Sequence, residues 1–329
     1  MTVEHARFAP VRIGVVGLGN FGLLHVATLA GLAEADLVAM VARREASLHA
    51  AADQFPDVAG WTDLDRAIAE SDAEAWVVAS STASHVPITK QLLEAGKTVL
   101  LEKPVAESLP EAESLATLVQ PDSSNLMLGH LLLFSSEFRQ LMDEVAQRGG
   151  IHYIDCVRHR PATAVDAFPG ESPFHLLMVH DLYLALVLAK RAQPTSLSGQ
   201  VHQTKSGAHN LALAQLQWPD GMLASFTASF LTPDGMPSDG FDRMEVFGQD
   251  WVARIRANPR PFEIWDEKAH WPMGLEIRAD EEGASGMLAE QLRCFCRVVR
   301  SEQPVPIGAT YHDAIQVQGW LDQLENSIT

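Results

Sequence analysis

Cysteine is scarce in this 329-residue chain: Cys156, Cys294 and Cys296 are too few for a disulfide framework. Cys294 and Cys296 lack a second ligand pair, which argues against a structural zinc site. They read as buried thiols of a reducing, cytoplasmic compartment. Basic charge is also short, with 24 Lys and Arg against 42 Asp and Glu and a net charge of −18. Nucleic acid and anionic membranes are therefore not expected partners, since both are recognised through positive charge. Long apolar runs are missing: the longest, such as residues 182–189, fall well below the ~20 residues of a membrane span. The first ten residues hold Glu4, His5 and Arg7 without an apolar core, so no secretory leader is expected. There is no internal repeat and no low-complexity segment.

The composition is that of a globular protein, with 47% hydrophobic and 20% charged residues. At this length one core is not enough, and two domains are expected. From residue 11 to 130 short apolar runs alternate with helical stretches. Strands are expected at 11–17, 37–42, 76–80, 98–102 and 126–129, and helices at 20–33, 45–55, 86–95 and 109–119. Near-continuous apolar strands between amphipathic helices predict a parallel α/β sheet covered on both faces, a doubly wound fold.

Beyond residue 130 the pattern changes. A helix at 136–148 stops at Gly149-Gly150, and a strand follows at 151–157. A helix at 174–190 precedes a run of strands at 196–203, 210–218, 222–231, 241–248 and 251–256, with a turn at Trp218-Pro219-Asp220-Gly221. Strands in succession predict a mostly antiparallel sheet, and helices return at 286–300 and 311–326. The expected division is residues 1–130 as a dinucleotide-binding domain and 131–329 as an α+β domain with an open sheet.

Two motifs about eighty residues apart carry the chemistry. Gly17-Leu18-Gly19-Asn20-Phe21-Gly22 follows a predicted strand and opens a predicted helix. Gly17 suits the tight turn, Gly19 the approach of a pyrophosphate and Gly22 the packing of helix on strand. At the end of the second strand, where an acid would bind an adenosine ribose, stand Ala42-Arg43-Arg44. Arginines there pair with a 2′-phosphate, which favours NADP(H) over NAD(H), unless they are simply solvated. Ser80, Ser81 and Thr82, with His85 beyond, lie where a strand end meets a ligand crevice; Thr82 or Ser84 could equally cap a helix. Glu102-Lys103-Pro104 ends a further strand of the same crevice, the proline keeping the lysine backbone extended.

These motifs, with Ala95-Gly96-Lys97 before the Glu-Lys-Pro step, resemble the Gfo/Idh/MocA oxidoreductases over essentially the whole chain. The resemblance implies a Rossmann domain followed by an α+β domain whose open sheet forms a homodimer or homotetramer interface. It implies NAD(P)-dependent oxidation or reduction of a sugar, cyclitol or related polyol, with Lys103 positioning substrate and nicotinamide. It also implies an acid and a histidine four residues apart in the helix that opens the second domain. Here His180 matches, Asp181 follows it, the acid position is Leu176, and Tyr183 stands where another acid is frequent.

His180 titrates in the useful range and is the expected acid/base; Lys103 would hold the reacting oxygen. Asp181, about 100° around the helix, is expected to be structural. Tyr183 could supply a hydroxyl, while His175 lies on another face. Arg158 and Arg160, on one face of a strand, would bind an anionic substrate or lie on an exposed sheet face or subunit contact. Leu176 and Tyr183 also motivate a second reading, a cofactor-binding protein of weak activity that serves as a sensor or partner.

Overall fold

In the computed structural model, residues 9–163, 172–233, 240–267, 269–271, 276–280 and 282–328 are described; Glu4, His5 and Arg7 lie outside them. The chain forms two compact units. The first takes residues 1–134 and 277–315, the second residues 135–276 and 316–329.

The first unit is a parallel sheet of β1 (Val11–Val16), β2 (Ala35–Val41), β3 (Ala59–Trp61), β4 (Ala75–Val78), β5 (Thr98–Glu102) and β6 (Leu126–Gly129), in the order β3-β2-β1-β4-β5-β6. Its crossover helices are α1 (Asn20–Ala30), α2 (Glu45–Ala52), α3 (Leu64–Glu70), α4 (Thr82–Glu94) and α5 (Leu109–Glu113). The strands are buried on both faces: Ile13, Val15, Val77 and Val99 have no exposed surface, as a sheet sandwiched between helices requires. The order reverses between β1 and β4, and in such folds the ligand crevice opens at that switch point, beyond the carboxyl ends of the strands.

Some boundaries depart from the pattern. β3 and α3 are absent from the sequence reading because β3 is a three-residue edge strand, too short to show a period. The helix α3 is instead marked by its cap, the Asp63 carboxylate accepting from the Arg66 N–H at 2.9 Å. α4 begins at Thr82, ahead of the expected start at residue 86, so Pro87 lies inside the helix. α5 stops at Glu113, where the Ser114 hydroxyl donates to the Glu111 carbonyl at 2.6 Å.

The second unit opens with α6 (Ser136–Arg148) and holds β7 (Ile151–Pro161), α7 (Val179–Leu188), β8 (Ser196–Gln203), β9 (His209–Gln217), β10 (Leu223–Thr232), β11 (Phe241–Gly248) and β12 (Trp251–Asn258). The sheet order is β12-β11-β7-β10-β9-β8. Its pairings are antiparallel except between β7 and β10, which run parallel, so the sheet is mixed. One face is apolar and buried, with Ile154, Cys156, Ala214, Phe226 and Val246 alternating with more exposed neighbours.

The chain then returns to the first unit. α8 (Met287–Val299) buries Met287, Leu288, Leu292 and Phe295 in the same core cluster as β1 and α1. α9 (Tyr311–Asn326) begins in the first unit and ends in the second. A division at 130/131 thus misses this return, because an amphipathic helix does not declare in sequence which core it covers.

Candidate active site

The glycine turn does what its spacing predicts. Gly17 has φ +96°, and a Cβ there would sit 2.5 Å from the Ala79 carbonyl oxygen at the end of β4. A Cβ on Gly22 would sit 1.9 Å from the Gly17 carbonyl, so helix and turn close only on glycine. Beside Gly19 the space is open, with nothing within 4 Å of an added Cβ. No side chain caps α1, and its first turn has no acid. This N-terminus therefore fits the pyrophosphate of a dinucleotide. Asn20 is exposed and Phe21 half-buried beside it, whereas the Leu18 side chain belongs to the core. Arg43 and Arg44, at the end of β2, are exposed and paired with no other described residue.

After β4, the Ser84 hydroxyl donates to the Ser81 carbonyl at 2.7 Å and lies 2.9 Å from the Ser80 hydroxyl. Ser81 is the N-cap residue of α4, but its side chain makes no capping bond, and Thr82 is the first helical residue. The serine hydroxyls are held in one cluster at the crevice edge.

Glu102-Lys103-Pro104 is braced from both sides. His25, from α1, donates through Nε2 to the Glu102 carboxylate at 2.9 Å, and both side chains are buried. Glu102 lies across Gly129, where a Cβ would come 2.7 Å from its Oε1. The sequence places Glu102 and His85 among the cofactor contacts; the structure turns both side chains to their own chain instead. His85 has its Nδ1 2.7 Å from the Pro104 carbonyl and its Nε2 3.1 Å from the Ser80 carbonyl. Burial lowers the His85 pKa, against the pull of those two carbonyls. The half-buried Lys103 itself lies within electrostatic reach of His85 and His130. His130, fully buried after β6, donates from Nδ1 to the Gly308 carbonyl, and burial pushes its pKa down to about 4. The lysine thus emerges from a desolvated setting made of the neutral His85 and His130 and one buried carboxylate, Glu102, beside it.

In the second unit, residues Phe174–Met178 wind as a π-helix into α7. Every residue of α7 is buried except His180. Its Nδ1 lies 3.0 Å from the Tyr183 hydroxyl. Four residues before His180, Leu176 would share its face in regular α-helical steps; the π-wound turn between them changes the phase. Leu176 is half-buried, and His175 faces Glu325 at 3.3 Å.

Arg158 and Arg160 are neither on an open face nor held for an outside anion. Arg158 is 5% exposed and donates to Asp181 at 2.8 Å and to Asp242 at 2.9 Å. Arg160 donates to Asp242, with its shorter bond 2.6 Å. Burial opposes the charge on Arg158, but the two carboxylates outweigh it and hold its pKa above the ordinary guanidinium value. Asp181 is therefore a structural partner tying α7 to β7.

Family models match both parts of the chain. Residues 11–130 match the oxidoreductase family with an NAD-binding Rossmann fold, and residues 127–253 match the GFO/IDH/MocA C-terminal domain. The chain belongs to the Gfo/Idh/MocA family. Within that family it is 26% identical over 305 residues to the UDP-N-acetylglucosamine 3-dehydrogenase of Acidithiobacillus ferrooxidans, covering 90% of each chain. It is 32% identical over 232 residues to inositol 2-dehydrogenase 1 of Saccharopolyspora erythraea, covering 68% of this chain and 66% of that one. Among solved structures, GenD2 from gentamicin A biosynthesis in complex with NAD superposes with a TM-score of 0.80 at 21% identity, over 98% of this chain and 95% of that one, which shows a shared fold.

As a Gfo/Idh/MocA oxidoreductase the chain brings to its site residues that sequence reasoning missed. His25 is a polar residue on a mostly apolar helix, a pattern that by itself says only that it is satisfied. His130 and Asp242 have partners far along the chain, at Gly308 and at Arg158 and Arg160. No local spacing announces such pairs.

Proposed function

We propose that this protein is an NAD(P)-dependent oxidoreductase that moves a hydride between the nicotinamide and a secondary alcohol or ketone of a sugar, cyclitol or related polyol. The observation that carries the reading is Lys103, held at the crevice end of β5 between His25–Glu102 and His85–Pro104. The dehydrogenase names of the inositol and UDP-sugar relatives support the substrate class.

When bound, the nicotinamide supplies the hydride acceptor or donor. In the oxidation direction the His180 imidazole takes the hydroxyl proton, and in reduction it returns it. The Lys103 ammonium is the group that would donate a hydrogen bond to a reacting oxygen and stabilise the negative charge that develops there. Gly17–Gly22 and the serines after β4 hold the cofactor's diphosphate and ribose. Exposed Arg43 and Arg44, with no carboxylate between them and β2, favour the 2′-phosphate of NADP(H). The exposed Leu213, Leu223, Leu231 and Val252 on the second sheet support a homodimer or homotetramer formed through it. The free cysteines fit a cytoplasmic location.

The test follows nicotinamide absorbance across a panel of polyols and nucleotide sugars. Turnover that is lost in Lys103→Ala and His180→Ala supports the roles. Tight cofactor binding without turnover on any panel member would favour the sensor reading motivated by Leu176 and Tyr183. Equal activity in both variants and the parent would remove the assigned roles.

A further inference from the structure

Tyr183 is wholly buried in α7, yet its hydroxyl lies 3.0 Å from Nδ1 of His180, with the two rings edge to face at 5.8 Å. A side chain with no exposed surface does not touch a small molecule directly, so whatever Tyr183 contributes passes through its neighbour. We propose that Tyr183 is a positioning residue for His180: its phenol holds Nδ1 in both protonation states and leaves Nε2 as the nitrogen that carries the exchanged proton. This rests on the reading of His180 as the acid/base.

The chemistry of the partner matters. A carboxylate only accepts, and its charge favours the imidazolium. A phenol is neutral, and its oxygen accepts from Nδ1–H both in the neutral ring, where Nε2 is bare, and in the imidazolium. It therefore orients the ring without committing it to one charge state, as a group that must both take and return a proton requires.

The surrounding charges do not override this. Arg158 and Arg160 come from β7, Asp242 from β11 and Asp181 from α7 itself, and the two cations and two anions are spent on one another. One turn earlier, His175 faces Glu325 from α9. On β7, His159 is bonded to Ser229 from β10 at 2.7 Å, and burial lowers its pKa. The hydrogen bond to the phenol is thus a contact that orients the ring without adding a charge to it.

The experiment compares pH profiles of kcat, KM and melting temperature for the parent, Tyr183→Phe and Tyr183→Asp, with His180→Gln beside them. The parent and the two Tyr183 variants are also titrated by nitrogen NMR of the His180 imidazole without substrate. Tyr183→Phe is expected to lower kcat by about tenfold with KM nearly constant, and to remove the hydrogen-bonded Nδ1 signal. Tyr183→Asp is expected to raise the apparent pKa of the His180 limb by about one unit. A His180 resonance and kcat profile unmoved in both Tyr183 variants would overturn the proposal, as would a rise in KM alone. If instead His180→Gln keeps both kcat and the limb, the acid/base reading fails, while the NMR titration still decides whether Tyr183 sets the ring.

Discussion

Lys103 and His180 stand in differently built surroundings. Around Lys103 the first unit uses mostly backbone carbonyls facing imidazole nitrogens, at Pro104, Ser80 and Gly308, with one buried carboxylate, Glu102, paired to His25. Around His180 the second unit uses full charges, with Arg158 and Arg160 locked to Asp181 and Asp242 behind an otherwise buried helix. Bracing that is mostly neutral positions a group with little electrostatic cost. A buried ion network positions one only while all its members are present, because each charge left alone is strongly penalised. The candidate chemistry in the first unit should therefore be separable from stability, and in the second it should not.

The sharpest break of that contrast is Lys103→Met. It is expected to lower kcat by about 10²–10⁴-fold while leaving the melting temperature unchanged; a large loss of stability would show that the lysine is part of the scaffold. Arg158→Leu should act the other way round. With two buried aspartates deprived of its charge, stability is expected to fall by about 3–5 kcal/mol, read in denaturant melts. A neutral outcome would mean that the network is not a support for α7.

The third test concerns acid. His130 has a native pKa of about 4 against an ordinary 6.5, lowered by burial. Between those values the unfolded chain binds the proton and the native one does not, so stability falls as pH drops from 6.5 towards 4. The loss is about 3 kcal/mol at most. His130→Asn, which keeps a donor towards the Gly308 carbonyl, is expected to flatten that slope in melts at graded pH. An unchanged slope would place the acid sensitivity elsewhere. The smallest effect is expected at the rim: Arg43→Ala should weaken NADPH binding by about fivefold, near 1 kcal/mol, without changing NADH. Clearly tighter binding of NADH by the parent would refute the argument from the two arginines.

Elements were legible in both units. β5 and β6 of the first and α6, β8 and β11 of the second fall where the apolar periods put them, because buried strands and amphipathic helices must follow those periods. Gly17 and Gly22 are legible because each excludes a side chain for a local steric reason. The π-wound turn before His180 was not legible: a single residue of extra winding leaves no mark in composition, yet it resets which side chains share a face. Arg158 was misread for a similar reason. Alternation places it on one face of a strand but does not say what that face meets, and Asp242 lies 84 positions away.

Sequence by itself determined the two-part plan, the dinucleotide turn and the lysine after β5, since each depends on contacts within a strand, a turn or one crossover. Only tertiary structure decided what surrounds them. His25 braces Glu102, His130 reaches Gly308, α8 returns to the first core, and Arg158 is spent on carboxylates rather than left for a ligand. Those outcomes depend on which distant groups share a low-dielectric interior, where a buried polar group must find its partner wherever the fold supplies one.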